Sequence, residues 1–181
     1  MVTYEDLLQR QIIKKIETVE KERYISYHQS NYTLDLESAV KFLDIQNAKY
    51  AVIAGYYSVL NSTLWYFAKY FNLKISEEDT GVHTNCLIVL EKFIKEERLK
   101  KKIIELLQEA RKEFASFVVI KKRSEETLPL VLKQSSEKRK RYTYYSAERN
   151  LPKINDPLNE ARTFIDYTVK PYISIMEKLK C

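Results

Sequence analysis

One uncharged stretch constrains the fold more than any other part of the chain. Between Lys49 and Lys69 no residue is charged and no proline interrupts the segment. Read at helical spacing, its apolar side chains occupy two faces. A third face carries only small side chains, at Ala51, Gly55, Ser58 and Ser62. A helix that is apolar almost all round must be buried almost all round. The stretch Ala48 to Phe71 is therefore predicted to be the central helix of a bundle.

A membrane-spanning helix is the alternative, because such a helix needs about 20 mainly apolar residues. Two features count against it. Asn61, Ser62 and Thr63 form a polar cluster, and Tyr56 and Tyr57 would lie at mid-bilayer instead of in the interfacial belts. The first residues also run directly into an amphipathic pattern instead of a signal peptide. We expect no membrane association.

Composition indicates the fold class. The 181 residues suit a single domain, 1–181, and two glycines and four prolines leave few places for tight turns. The prediction is an all-α, up-and-down bundle of about four long helices plus short helices. Cys86 and Cys181 are the only cysteines, which favours a reducing, cytoplasmic location.

Apolar periodicity predicts the helices before the central one. The first is an amphipathic helix from Tyr4 to about Tyr27, ended by the aromatic and polar stretch Tyr24 to Tyr32. A second helix is expected to begin at Thr33 or Asp35, both good N-cap residues, and to end near Asp44.

The C-terminal half contains three further predicted helices. Thr84 is expected to cap a short one, and a long one follows from Glu97 to Lys122, with Pro129 marking a restart. The last begins at Asn155 or Asp156 with Pro157 in its first turn, and Pro171 is expected to kink it.

The net charge of +6 is concentrated in one region. The segment 121–149 has nine Lys or Arg residues against four Asp or Glu, a net charge of +5. Within it, basic side chains that could neutralise phosphates adjoin tyrosines that could stack on bases. The candidate RNA- or nucleotide-binding residues of this basic tyrosine tract are Lys138, Arg139, Lys140, Arg141, Tyr142 and Tyr145. A solvated loop whose tyrosines pack back onto the bundle explains the pattern equally well.

The sequence gives little indication of a metal site or of a glycine-rich phosphate loop. His83 and Cys86 could face the same way, but two ligands do not make a zinc site, and a hydrogen-bonded histidine at a helix start is the more ordinary explanation. With only Gly55 and Gly81 in the chain, there is no glycine-rich phosphate loop. No metal site and no cofactor is predicted.

The order of four motifs resembles the HEPN superfamily, the higher eukaryote and prokaryote nucleotide-binding domains. The motifs cover roughly Thr33 to Leu179. They are the early helix Leu36 to Leu43 before Ala51-Val52-Ile53-Ala54-Gly55-Tyr56-Tyr57; the segment Gly81-Val82-His83-Thr84 before a short apolar helix; Arg141-Tyr142-Thr143-Tyr144-Tyr145; and a final helix with Ala161 and Phe164. The resemblance implies a helical bundle associated with RNA cleavage or with nucleotidyltransferases.

The chain departs from this family at its catalytic motif. Family members that cut RNA resemble one another in an Arg followed after four to six residues by a His. No histidine follows Arg139, Arg141 or the alternative arginine Arg111, and the chain has only His28 and His83. The usual general acid or base for ribonuclease activity is therefore missing.

The predicted function is an HEPN-like protein that binds RNA or a nucleotide, without the family's ribonuclease activity. The resemblance further implies a toxin–antitoxin or defence partnership with a nucleotidyltransferase. One alternative is a dimeric endoribonuclease in which Arg141 binds phosphate and Tyr145 or His83 replaces the lost imidazole. Another is a structural helical adaptor. A homodimer or a partner helix is expected, because the apolar faces exceed what one four-helix core can cover.

Overall fold

The computed structural model of the chain describes residues 2–76, 81–135 and 156–179, and only the backbone over 118–135. The fold is all-α, as predicted. Its helices are α1 (Tyr4–Gln9), α2 (Thr18–Asp44), α3 (Ala48–Tyr66), α4 (Val82–Phe93), α5 (Glu97–Ser135), α6 (Pro157–Phe164) and α7 (Lys170–Lys178). Two short strands, β1 (Ile13–Lys15) and β2 (Leu73–Ile75), form an antiparallel ribbon.

Helix α3 is the central helix that the uncharged stretch predicts. It contacts α2, α5, α6 and α7, and twelve of its residues are buried. Asn47 caps its first turn through the Tyr50 amide, and a π-helical turn (Phe67–Phe71) continues it to the predicted end. None of the described helices is long and apolar enough to cross a bilayer.

The small-residue face of α3 permits close packing on two sides. Gly55 lies against the C-terminal helices: a Cβ atom there would be 2.5 Å from Cδ1 of Ile165 and 3.0 Å from Cε1 of Phe164. Ser58 instead faces α2, where its hydroxyl donates to the Tyr32 carbonyl oxygen at 2.6 Å. The predicted close crossing at Gly55 is confirmed.

The C-terminal helix forms as predicted. The Asp156 side chain accepts a hydrogen bond from the Asn159 amide, and Pro157 occupies the first turn of α6. A second π-helical turn (Ile165–Val169) lies between α6 and α7 and ends two residues before Pro171. Proline cannot donate its backbone hydrogen bond, so the helix becomes irregular in the turn before it.

The prediction for the N-terminal 30 residues is wrong. The single helix from Tyr4 to Tyr27 is replaced by α1, the strand β1 and the start of α2. Gln11 adopts a left-handed conformation (φ 56°), which ends α1, and Ile13 then pairs with Ile75. Helix α2 runs through the predicted break at Tyr24 to Tyr32.

Neither residue proposed to start the second helix is an N-cap, although the predicted end at Asp44 is confirmed. Thr33 lies mid-helix, where its hydroxyl donates to the carbonyl oxygen of Gln29 at 3.0 Å, and Asp35 accepts a hydrogen bond from Asn61 of α3. The side-chain oxygens that make these residues good caps bond to other groups here.

Two boundaries in the C-terminal half also differ from the sequence pattern. Gly81, not Thr84, is the N-cap of α4, which places Thr84 inside the first turn. Helix α5 continues beyond Lys122 and through Pro129, where a restart is predicted.

The apolar faces that motivate self-association are largely covered by the chain itself. Val52, Tyr56, Val59 and Tyr66 on the second apolar face of α3 are buried, as are Leu7 and the isoleucines around β1. This reason for a homodimer is therefore wrong, and the homodimer stays a prediction without it. The most exposed apolar side chains are instead on the outer part of the fold, among them Val19, Leu34, Ile45 and Tyr167.

We expect Gly55→Leu to lower the free energy of unfolding by about 1–3 kcal/mol, because the added side chain has no room beside Ile165 and Phe164. Urea denaturation measures the change. Tyr57→Leu is a control on the same helix, since Tyr57 is 44% exposed. Equal stability of Gly55→Leu and the parent would contradict the close crossing.

Candidate functional site

The residues predicted to bind RNA or a nucleotide divide into two groups. Six of them, Lys138, Arg139, Lys140, Arg141, Tyr142 and Tyr145, lie outside the described residues. The seventh, His83, lies in the first turn of α4 and is 6% exposed. The structure therefore tests the surroundings of His83 but not the basic tyrosine tract.

The His83 ring is buried beside an aromatic ring of α3. It stacks beside the Tyr56 ring of α3, with centroids 6.0 Å apart and planes 19° apart. Neither ring nitrogen has a hydrogen-bond partner among the described residues. Burial, and secondarily the positive charge of Arg111, lowers the pKa of His83 to about 4. His83 is therefore neutral near pH 7, and its ring is covered by the protein.

Tyr56 joins His83 to α5. Its ring stacks on Phe114 at 4.2 Å, and burial raises the pKa of its hydroxyl to about 12. Its neighbour Tyr57 is half exposed and meets the edge of the same Phe114 ring at 5.9 Å. The adjacent tyrosines of the A-x-x-A-x-Y-Y segment thus have different environments: one is in the core and one is at the surface.

An exposed arginine lies at the edge of this aromatic layer. Nη1 of Arg111, on α5, donates to the Thr84 hydroxyl at 3.2 Å. No carboxylate among the described residues pairs with Arg111. Thr84 lies in the first turn of α4, which no side chain of the described residues caps, so a guanidinium and a helix N-terminus adjoin. Both groups favour anions such as phosphate.

The sequence gives only an indirect signal for this pair. From the sequence, Arg111 is only an alternative position for the family arginine, and Thr84 is only an expected helix cap. Their proximity depends on how α4 packs against α5, across 27 residues of sequence.

The described residues offer no support for a metal centre. They contain no group of three or more His, Cys, Asp or Glu side chains that could hold an ion. Cys86 is fully buried on α4.

A second polar cluster lies between α2 and α3. Nδ1 of His28 and Oδ1 of Asn61 are 2.9 Å apart, and Nδ2 of Asn61 donates to Oδ2 of Asp35 at 2.9 Å. Burial raises the pKa of Asp35, while the bond from Asn61 opposes this shift. A cavity of about 370 Å³ opens beside the cluster, lined by Tyr27, Asn31, Asp35, Tyr57, Leu60, Asn61 and Leu64.

A larger surface depression, of about 600 Å³, lies between α4 and α5. Acidic and basic side chains mix along its wall, and Lys100 pairs with Glu97 at 2.7 Å. Mutually neutralised charges and few apolar groups make it a weak candidate for a specific small-molecule site.

The chain matches no family model, and comparisons with curated proteins and with solved structures give no match. The HEPN resemblance therefore stays a prediction that depends on the motifs alone.

We expect the parent protein to lose stability as the pH falls from 7 to 5, in part through His83. The folded-state pKa is about 4 and the ordinary value is 6.5, so in this window the unfolded state binds a proton that the folded state does not. Stability from this group is complete above the ordinary pKa and declines toward pH 4. His83→Leu should reduce the loss by about 1 kcal/mol, a value discounted for partial solvent screening.

Urea denaturation of both proteins at pH 7 and pH 5 measures this difference. Identical pH dependence of His83→Leu and the parent would mean that the His83 ring is accessible to protons in the folded protein.

Proposed function

We propose that the protein is an HEPN-like module that binds single-stranded RNA or a nucleotide through its phosphates and does not cleave RNA by the family's Arg–His chemistry. The observation that carries this proposal is the pair of Arg111 and Thr84 at the first turn of α4. A guanidinium free of carboxylate partners among the described residues can bind a phosphate with two parallel hydrogen bonds.

Three other features support the proposal. The chain carries a net charge of +6, which favours an acidic partner. Phe114 lies three residues after Arg111 on α5 and contacts the exposed ring of Tyr57, and aromatic rings are the usual surface on which unpaired bases stack. The basic tyrosine tract, which begins at Lys138 in the sequence, adds further basic and aromatic side chains suited to phosphates and bases.

The surroundings of the two histidines disfavour a ribonuclease. A general acid or base must come within hydrogen-bond distance of the substrate. His83 and His28 are both buried, and Nδ1 of His28 is already bonded to Asn61. The alternative in which His83 replaces the family's imidazole would require α4 to open. The partnership with a nucleotidyltransferase in a toxin–antitoxin or defence pair stays a proposal from the resemblance.

The test is equilibrium binding of a short single-stranded RNA at several salt concentrations. For the parent, the logarithm of affinity should fall with the logarithm of salt by about 0.7 for each phosphate contacted. Arg111→Ala should lower this slope by about 0.7, the contribution of one phosphate contact. Arg98→Ala is the matched control, because Arg98 is an exposed arginine on the same helix, about 20 Å from Arg111 along the axis.

The basic tyrosine tract is a second arm of the same experiment. Replacing Arg139 and Arg141 by alanine should remove one to two contacts from the slope, and Tyr145→Ala should weaken binding without changing the slope. The RNA should stay intact throughout.

Three outcomes separate the alternatives. Absence of binding at moderate salt would favour the helical adaptor. Equal slopes for Arg111→Ala and Arg98→Ala, with a lower melting temperature for Arg111→Ala alone, would make Arg111 a structural residue. Rapid RNA cleavage that Arg111→Ala or Arg141→Ala abolishes would support the endoribonuclease alternative.

A further inference from the structure

The cavity between α2 and α3 is lined on one side by polar groups whose hydrogen-bond directions are fixed. Because Nδ2 of Asn61 donates to Asp35, its amide oxygen faces Nδ1 of His28, which therefore carries the hydrogen. Asn61 is thereby held from both sides. Asp35 has no ion pair among the described residues. Its remaining acceptor positions are available to a ligand.

Two tyrosine rings stand at the entrance of this cavity. Tyr27 is 55% exposed and Tyr57 is 44% exposed. Each is positioned by an aromatic neighbour: Tyr27 meets the edge of His28 at 5.0 Å, and Tyr57 meets Phe114 at 5.9 Å. Exposed rings that are held in place lose little freedom when a flat group stacks on them.

The cavity and the phosphate-binding pair lie on a connected surface. Phe114 follows Arg111 by one turn of α5, and the Phe114 ring touches Tyr57 at the cavity's edge. A nucleotide or RNA strand with a phosphate at Arg111 would therefore have a base-sized cavity nearby. Its volume, about 370 Å³, lies at the lower end of the range of about 300–1,000 Å³ typical of ligand pockets.

We propose that this cavity binds a guanine base, with its N1–H and N2–H donors on the Asp35 carboxylate and its ring stacked on Tyr27 or Tyr57. The inference depends on the proposed RNA or nucleotide binding and adds base specificity to it. An ionised carboxylate only accepts hydrogen bonds. Guanine presents two adjacent donors on one edge, whereas the pairing edges of adenine, cytosine and uracil each place an acceptor beside their donor.

The guanidinium group of arginine presents the same pair of donors and is the main competitor. The net charge of +6 favours the base, because it attracts the phosphates that accompany a guanine and repels a free cation. The experiment below distinguishes guanine from a guanidinium group as the ligand.

The experiment compares three uridine-rich single-stranded RNAs that differ at one position: guanosine, inosine or adenosine. Inosine lacks only the 2-amino group of guanosine. The parent should bind the guanosine RNA about tenfold more tightly than either of the others. Asp35→Asn should bind all three with equal affinity and an unchanged salt slope, since the phosphate contacts remain.

Control variants show whether the loss of guanosine preference is specific to Asp35. Asp44→Asn removes an exposed carboxylate from the same helix and should keep the guanosine preference. If Asp35→Asn fails to fold, Tyr27→Leu, at an exposed position, should weaken binding of all three RNAs and leave the preference for guanosine. Arg111→Ala should weaken binding of all three equally.

Equal affinity of the parent for the three RNAs would overturn the inference and leave the proposed function standing. If no RNA binds, the proposed RNA binding fails, and guanosine monophosphate titrated against tyrosine fluorescence tests the cavity alone. Binding there that Asp35→Asn removes would support the guanine site. No binding of this nucleotide would overturn the inference, as would Asp35-dependent binding of arginine methyl ester in its place.

Discussion

Burial of α3 on nearly all sides is the constraint on which the rest of the structure depends. A helix with so little polar surface is stable in water only when other elements cover it. Helix α2, helix α5 and the pair α6–α7 do so. The Thr63 hydroxyl inside this packing is hydrogen-bonded: it lies 2.7 Å from the Tyr172 hydroxyl and 2.8 Å from the Val59 carbonyl oxygen.

The candidate sites occur where this covering is incomplete. Between α2 and α3, the half-buried Leu60 and Asn61 leave the cavity beside Asp35. At the α4–α5 contact, Tyr56 is enclosed and Tyr57 turns outward, so a single helical step divides core from surface. The same sequence feature that determines the bundle therefore also supplies the exposed ring shared by both candidate sites.

The helical architecture is predictable because it depends on local periodicity and composition. The N-terminal error has a specific physical origin: Ile12, Ile13 and Ile16 are spaced as in a helix, and the decisive interaction is the pairing of Ile13 with Ile75, 62 residues away. Asp35 illustrates the same limit in the site. The sequence pattern indicates a helix cap there, and only the packing of α2 on α3 brings the carboxylate to Asn61. The basic tyrosine tract stays a prediction, because it lies outside the described residues.

Amide hydrogen exchange with and without single-stranded RNA tests the central claim most directly, namely that phosphate binds at Arg111 and the first turn of α4. The amides of Val82, His83 and Thr84 precede the first backbone hydrogen bond within this helix, and no side chain in the described part of the chain caps them. RNA should slow their exchange in the parent and leave it unchanged in Arg111→Ala. Protection by RNA that spares these amides would contradict the account.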